Sequence, residues 1–127
     1  MSDYLTITFA REFLKIPTSS IVYIEADGNY SYIKTADGSK YTVTIQLGQM
    51  AERISNLGGA ANGDFVRIGR RIIVNVNYIV FISPQNQKLV LSDCRTFRYE
   101  ANASREALRD LKESIENRIE NEDRRLR

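Results

Sequence analysis

The first part of the chain alternates apolar and polar positions with a period of two, as in a strand that buries one face. Five short strands are predicted in this way, at residues 4–9, 11–16, 21–26, 30–35 and 41–44. Pro17 interrupts the pattern, because proline cannot donate a backbone hydrogen bond to a neighbouring strand. Asp27-Gly28-Asn29 and Asp37-Gly38 are turn sequences. The pattern therefore predicts a series of short antiparallel hairpins.

The period then changes to that of a helix. Four apolar residues recur at helical spacing and predict one short amphipathic helix over residues 46–57. They are Leu47, Met50, Ile54 and Leu57. The pair Gly58-Gly59 follows as a helix-ending sequence. The small and polar residues 58–64 predict a loop.

Strand character returns after this loop and continues almost to residue 100. Five further strands are predicted, at residues 65–68, 71–74, 78–83, 88–92 and 96–100. Asn75 and Asn77 are expected to serve the turn between two of them, through side-chain bonds to the backbone. The predicted fold class is therefore mainly β, built from small antiparallel sheets, with one short internal helix and a C-terminal helix.

The C-terminal helix is predicted from Ala101 onward, with Asn102 or Ser104 as its cap. Its apolar stripe consists of Leu108, Leu111, Ile115 and Ile119. The first two residues of the stripe are expected to pack on the sheets. The last two lie further out and are candidate contacts with a second copy in a homodimer. The highly charged stretch 116–127 is expected to fray at its end.

The composition disfavours most catalytic chemistry. The 127 residues fit one domain and contain no His and a single cysteine, Cys94. The usual general base, the commonest zinc ligand and an intramolecular disulfide are therefore missing. Glu25 and Asp27 share a strand face, but Asp27 belongs to a turn, so a paired-carboxylate hydrolase is disfavoured. We expect no enzyme, no metal, no cofactor and no small-molecule substrate.

Nothing in the sequence indicates a membrane. The N-terminus lacks a basic segment followed by an apolar run, so no signal peptide is expected. No apolar stretch approaches the ~20 residues that a membrane-spanning helix needs. We therefore expect a cytoplasmic protein without a membrane partner.

The charge is small in total but unevenly placed. The formal net charge is +2. Residues 65–109 carry eight bases, seven of them arginine, against three acids. Arginine suits phosphate and guanine, because its planar fork donates two parallel hydrogen bonds. The basic middle is compatible with nucleic-acid binding, and equally with a set of solvated surface arginines.

Several motifs, in order along the chain, resemble those of LytTR domains, the DNA-binding output domains of bacterial response regulators. Residues 21–30, IVYIEADGNY, resemble the opening signature of that family. Residues 65–79, FVRIGRRIIVNVNYI, are the most specific match. The resemblance covers about residues 4–112. Three departures from the family pattern are Gly69 in place of a frequent His, Arg71 in place of a frequent Ser, and Cys94 where a turn glycine is common.

The resemblance implies three small antiparallel sheets packed into an elongated sandwich, and loops that enter successive major grooves of DNA. It divides the chain into a LytTR-like domain, 1–112, and a charged helical extension, 113–127. Three positions would carry most base contacts. The residues that these imply are Ser31 with its neighbours Asn29 and Tyr30, then Arg70, and then Arg105 of the pair Ser104-Arg105. Arg71 is as compatible with a DNA contact as with a surface role, and Arg67 is expected to pair with an acid on the sheet face.

Two functions remain open at this point. The first is a sequence-specific regulator of transcription that stands alone and binds double-stranded DNA at direct-repeat or paired half-sites, with a homodimer as the candidate assembly. The second is a protein-interaction module that has kept the fold and lost specific DNA binding. The near-neutral total charge and the weakly specifying Ser31 motivate this alternative.

Overall fold

Three antiparallel sheets and three α-helices make up the described part of the domain. The computed structural model describes the backbone of residues 4–126, and side chains in that range except at 60–62 and 123–126. The strands are β1 Tyr4–Phe9, β2 Glu12–Pro17, β3 Ile21–Asp27, β4 Tyr30–Thr35, β5 Lys40–Val43, β6 Phe65–Ile68, β7 Ile72–Asn75, β8 Ile79–Ser83, β9 Lys88–Ser92 and β10 Arg98–Asn102. The helices are α1 Leu47–Leu57, α2 Gly59–Asp64 and α3 Arg105–Leu126. The mainly β fold predicted from the sequence is confirmed.

The largest sheet has five strands in the order β5-β4-β3-β7-β6 and lies between two apolar layers. One face packs against the β1–β2 hairpin and α1, through a core that includes Ile24 and Met50. The other face packs against the sheet β10-β9-β8 and α3, through a core that includes Val22 and Leu108. All four residues of β7 are buried, because this strand is covered on both faces. Burial of apolar surface on both sides is the main force that holds the sheets together.

The turn after β7 forms as the sequence predicts. The Asn75 side chain accepts a hydrogen bond from the backbone N–H of Asn77 over 3.0 Å and donates one to the carbonyl oxygen of Ile21 over 2.9 Å. A buried amide that meets both needs stabilises the corner, whereas an unpaired one would cost free energy. The predicted turn role of Asn75 is confirmed.

Two local predictions, in addition to the start of the C-terminal helix, were wrong. Residues 59–64 form the short helix α2, not a loop, because Ala60 and Ala61 supply the helix propensity that the neighbouring glycines lack. The last strand starts at Arg98, two residues later than predicted. The Asp93 carboxylate accepts the backbone N–H groups of Arg95, Thr96 and Phe97, and this turn delays the strand.

The helix α3 begins at Arg105, four residues later than predicted, because Ala101 and Asn102 still pair in β10. Of the two predicted caps, Ser104 is the one used, and it accepts the N–H of Ala107 over 3.1 Å. Leu108 and Leu111 are buried in the second core, as predicted. Further along, Arg118 donates a 3.1 Å hydrogen bond to the carbonyl oxygen of Gly63 in α2. The backbone is helical through Leu126, so that part of the predicted frayed end is helix, while Arg127 lies outside the described residues. None of the helices in the described range is long and apolar enough to cross a membrane.

Candidate nucleic-acid interface

Two turns meet at one end of the five-stranded sheet. The antiparallel strands β3 and β7 are paired, and the pairing closes with Glu25 opposite Ile72, the first residue of β7. The backbone N–H of Ala26 then donates a 2.8 Å hydrogen bond to the carbonyl oxygen of Arg71. The β3–β4 turn, residues 27–30, and the β6–β7 turn, residues 69–71, therefore lie side by side.

The junction between β10 and α3 lies next to these turns. A cleft of about 260 Å³ has Arg71 and Glu25 on one side and Glu100 and Asn102 on the other. A groove of about 330 Å³ has Gly69 on one wall and Ser104 on the other. Residues 102–105 thus form a third segment at the same end of the sheet.

The start of α1 is the fourth segment at this end. The Ser31 hydroxyl donates a 2.6 Å hydrogen bond to the carbonyl oxygen of Ile45. The next residue, Gln46, places its side-chain nitrogen 3.4 Å from the side-chain oxygen of Asn29. We call residues 27–31, 45–46, 69–71 and 102–105 together the loop end of the domain.

Six of the seven candidate DNA-contacting residues have exposed side chains at the loop end. They are Asn29, Tyr30, Arg70, Arg71, Ser104 and Arg105. Ser31 differs, because its side chain is fully buried and bonded to Ile45. In this conformation Ser31 does not face solvent, and we assign it a structural role instead of a base contact. The alternation of strand faces could have predicted this burial, because Ile33 faces the core and Ser31, two residues before it, lies on the same face of β4.

The arginines of the loop end lack acidic partners among the residues that the structure describes. The ion pairs among the described residues are Lys88–Glu100, Arg98–Glu100 and Lys112–Glu116. Arg70, Arg71 and Arg105 are exposed and belong to none of them. Three guanidinium groups without an ion-pair partner in the described part of the chain leave positive charge and hydrogen-bond donors at this end for a ligand. Phosphate and guanine are both ligands of this kind.

Arg67 behaves differently from its predicted role. We expected it to pair with an acid, but it makes no ion pair with a described residue. Its guanidinium instead donates a 3.4 Å hydrogen bond to the carbonyl oxygen of Arg70. The same group approaches Gly48 of α1, where an added Cβ would lie 3.7 Å from it. Arg67 therefore links α1 to the turn that carries Arg70.

Glu25 of β3, which lines the same cleft as Arg71, interacts with Tyr32. Tyr32 lies opposite Glu25 in the β3–β4 pairing. Burial, and then the Glu25 carboxylate bonded to the phenol, hold the pKa of Tyr32 well above its ordinary value. Tyr32 also packs edge-on against Tyr23, with ring centroids 6.3 Å apart. Tyr32 therefore packs on the sheet, whereas Tyr30 stands apart with 49% of its surface exposed.

Sequence reasoning missed Gln46 as part of this end. Its position before Leu47 predicts only the start of a helix, and its contact with Asn29 spans 17 residues of sequence. No periodicity in the chain reports such a contact. Within the described part of the chain, no group of three or more His, Cys, Asp or Glu side chains is placed to hold a metal ion.

A β-domain that presents exposed arginines on adjoining loops has the features of a loop-type nucleic-acid-binding module. Residues 11–116 match the family model of the LytTr DNA-binding domain, and the chain belongs to that family. A solved LytTr DNA-binding domain from Bacillus cereus is similar in fold, with a TM-score of 0.62 and 22% identity, over 91% of this chain and 98% of that one. No curated protein sequence matches the chain significantly.

Proposed function

We propose that this protein is a sequence-specific regulator of transcription whose loop end enters successive major grooves of double-stranded DNA. One observation carries the proposal. Exposed arginines from separate parts of the chain, Arg70, Arg71 and Arg105, meet at one end and have no acidic partner among the described residues. Membership of a family of DNA-binding domains supports it.

The three arginines are expected to divide two tasks. Arg70 at the turn and Arg105 at the start of α3 have open surroundings and are the candidates to read guanine through two parallel hydrogen bonds. Arg71 lines the cleft that also contains Glu25 and Glu100. Attraction to these two carboxylates disfavours extension of the Arg71 side chain into a DNA groove. It is the candidate to hold a phosphate at the edge of the site.

The target is expected to contain two half-sites. Each loop end covers one half-site, and a second copy of the chain covers the other. Ile119 on α3 is 53% exposed and is the candidate contact between copies, whereas Ile115 is already partly packed on its own core. Such a regulator acts in the cytoplasm, beside the DNA that it binds.

Selection from random duplexes, followed by sequencing, tests the proposal. We expect one sequence to be enriched, and affinity for it to fall steeply with salt as phosphates are neutralised. Arg70→Ala and Arg105→Ala should each cost about 1–3 kcal/mol on that duplex and relax one base position. Arg95→Ala is the matched control, because Arg95 is exposed in the β9–β10 turn, which lies at the opposite end of its strand from the loop end.

The opposite result is equally informative. If no duplex is enriched and binding does not respond to salt, the regulator proposal fails. A protein partner captured under the same conditions would then favour the alternative, an interaction module that has kept the fold.

A further inference from the structure

We propose that Gln46 is a positioning residue that fixes the side-chain amide of Asn29, so that Asn29 presents its NH₂ group, and not its oxygen, to DNA. The inference deepens the proposed function and rests on it. It assigns Gln46 to the interface and gives Asn29 a defined hydrogen-bonding character.

The contact itself lies at the surface of the loop end. The Gln46 side-chain nitrogen donates to the Asn29 side-chain oxygen over 3.4 Å, and both residues are exposed. An amide group is planar, with its oxygen and nitrogen on opposite sides of the carbon that carries them. When Gln46 holds the oxygen of Asn29, the nitrogen of Asn29 is turned away from α1 and toward open solvent.

Gln46 is itself held in place. It is the N-cap of α1, and its side chain accepts the backbone N–H of Gln49. In return the Gln49 side-chain oxygen accepts the backbone N–H of Gln46 over 3.3 Å. This reciprocal pair is a capping box, which satisfies two donors at the start of a helix. With its oxygen used in the cap, the Gln46 side chain has its nitrogen left to offer Asn29.

The backbones on both sides of the contact are also tied together. The Ser31 hydroxyl bonds to the carbonyl oxygen of Ile45, so residue 31 of one segment is fixed to residue 45 of the other. Asn29 lies two residues before the first, and Gln46 follows the second directly. This buried bond keeps the two amides at the same separation, since neither segment can move without breaking it.

The orientation has a consequence for recognition. Asparagine usually reads adenine by accepting from its amino group and donating to its N7 at the same time. An Asn29 whose oxygen is turned toward Gln46 presents only its NH₂ donors to DNA. It therefore suits a base edge that carries acceptors, and guanine offers two in the major groove, O6 and N7. We expect guanine at the base that Asn29 contacts.

Gln46→Glu provides the test, because a carboxylate can accept but cannot donate at neutral pH. The Asn29 amide must then turn over to donate to it, which leaves the Asn29 oxygen facing DNA. Random-duplex selection should then show a change at one base, from guanine toward adenine or cytosine, whose amino groups donate. The Asn29→Ala variant locates this base, because its preference there should fall roughly 5- to 150-fold.

Gln49→Glu is the matched control. It adds the same charge three residues further along α1, and a carboxylate can still accept the Gln46 N–H as Gln49 does. A general loss of affinity from the added charge will appear in both variants, while a change of base preference should appear only in Gln46→Glu. Urea midpoints of the two variants, compared with the parent, show that both remain folded.

Each outcome has one meaning. The same base preference in Gln46→Glu and Gln49→Glu overturns the inference, as does an Asn29→Ala variant that alters no base. In either case a parent that still enriches a duplex leaves the proposed function intact. A parent that enriches none removes the proposed function, and the inference with it. Adenine in the parent site at the Asn29 position also contradicts the inference.

Discussion

The Ser31 hydroxyl lies inside the domain and donates a 2.6 Å hydrogen bond to the carbonyl oxygen of Ile45. This bond joins the start of β4 to the residue before the cap of α1. It therefore connects two of the four segments that make up the loop end. Ser31 occupies a position that the family resemblance assigns to DNA contact, but in this structure it holds two segments of the loop end together by a buried hydrogen bond.

Ser31→Ala should destabilise the domain by about 1–3 kcal/mol, because the Ile45 carbonyl loses its buried donor and no water can replace it without a new cavity. Urea unfolding measures the change. Ser114→Ala is the control, since Ser114 is exposed on α3 and alanine favours the helix. Equal stability of Ser31→Ala and the parent would show that the buried hydrogen bond does not contribute to the free energy of unfolding.

Arg67→Gln should weaken base discrimination at the Arg70 position by about 0.5–1.5 kcal/mol, the net worth of an ordinary hydrogen bond. Its side chain holds the Arg70 carbonyl oxygen over 3.4 Å, and this contact limits the freedom of the turn. We expect an unchanged salt slope, because Arg67 is assigned no phosphate. Arg53→Gln, exposed on α1, is the control.

A double-mutant cycle completes that test. In an Arg70→Ala background, Arg67→Gln should cost little more, because the residue that it positions is already gone. Additive losses, or a salt slope reduced by about one phosphate, would instead make Arg67 a direct DNA contact.

Cys94→Gly should stabilise the domain by about 1 kcal/mol. Cys94 has a φ of 61°, a left-handed conformation that glycine adopts without the Cβ clash that other residues meet. The thiol is exposed, so little packing is lost. The greater freedom of glycine in the unfolded chain offsets part of the gain. Cys94→Ala keeps the clash and should show no gain in thermal unfolding, so a similar gain in both variants would contradict the explanation.

The domain should lose stability in acid partly through Asp93. The Thr96 hydroxyl, and then three backbone N–H groups, bond to its carboxylate, and these bonds hold the pKa of Asp93 well below the ordinary value of 3.8. A lowered folded-state pKa stabilises the fold above pH 3.8, and the contribution is lost as the pH falls below that value.

Urea unfolding between pH 5 and about pH 2 measures this contribution. Asp93→Asn should flatten the acid dependence, since no carboxylate is left to protonate. Thr96→Ala removes the donor with the largest effect on this pKa and should fall between Asp93→Asn and the parent. An unchanged acid slope in Asp93→Asn would assign the dependence to other groups.

The hairpins could be predicted from the sequence, because burial of alternate residues leaves a period of two in each strand. The late start of β10 could not, since it depends on one carboxylate collecting three N–H groups from residues ahead of it. The helix α2 was also missed, because glycines at both ends of residues 58–64 indicate a loop more strongly than two alanines indicate a helix.

The candidate site was predictable where a residue's place in a turn decides its exposure. Arg70, in the β6–β7 turn after Gly69, is such a residue. Gly69 has a φ of 60°, so the turn needs its left-handed freedom. Contacts between distant segments were not predictable. The role of Gln46 depends on a partner 17 residues away, and that of Arg67 depends on the backbone of Arg70, which no side-chain pattern reveals.

Ile119→Ser should weaken binding to a duplex with two half-sites more than binding to one half-site. Ile119 is 53% exposed on α3, one turn beyond Ile115, which packs on the second core. Its loss should therefore leave the urea midpoint near that of the parent, while Ile115→Ser lowers it. Equal weakening on both duplexes would remove Ile119 from any contact between copies. A matching fall in urea midpoint for both variants would instead place Ile119 in the domain's own core, and α3 would then be a support of the fold and not a link to a second copy.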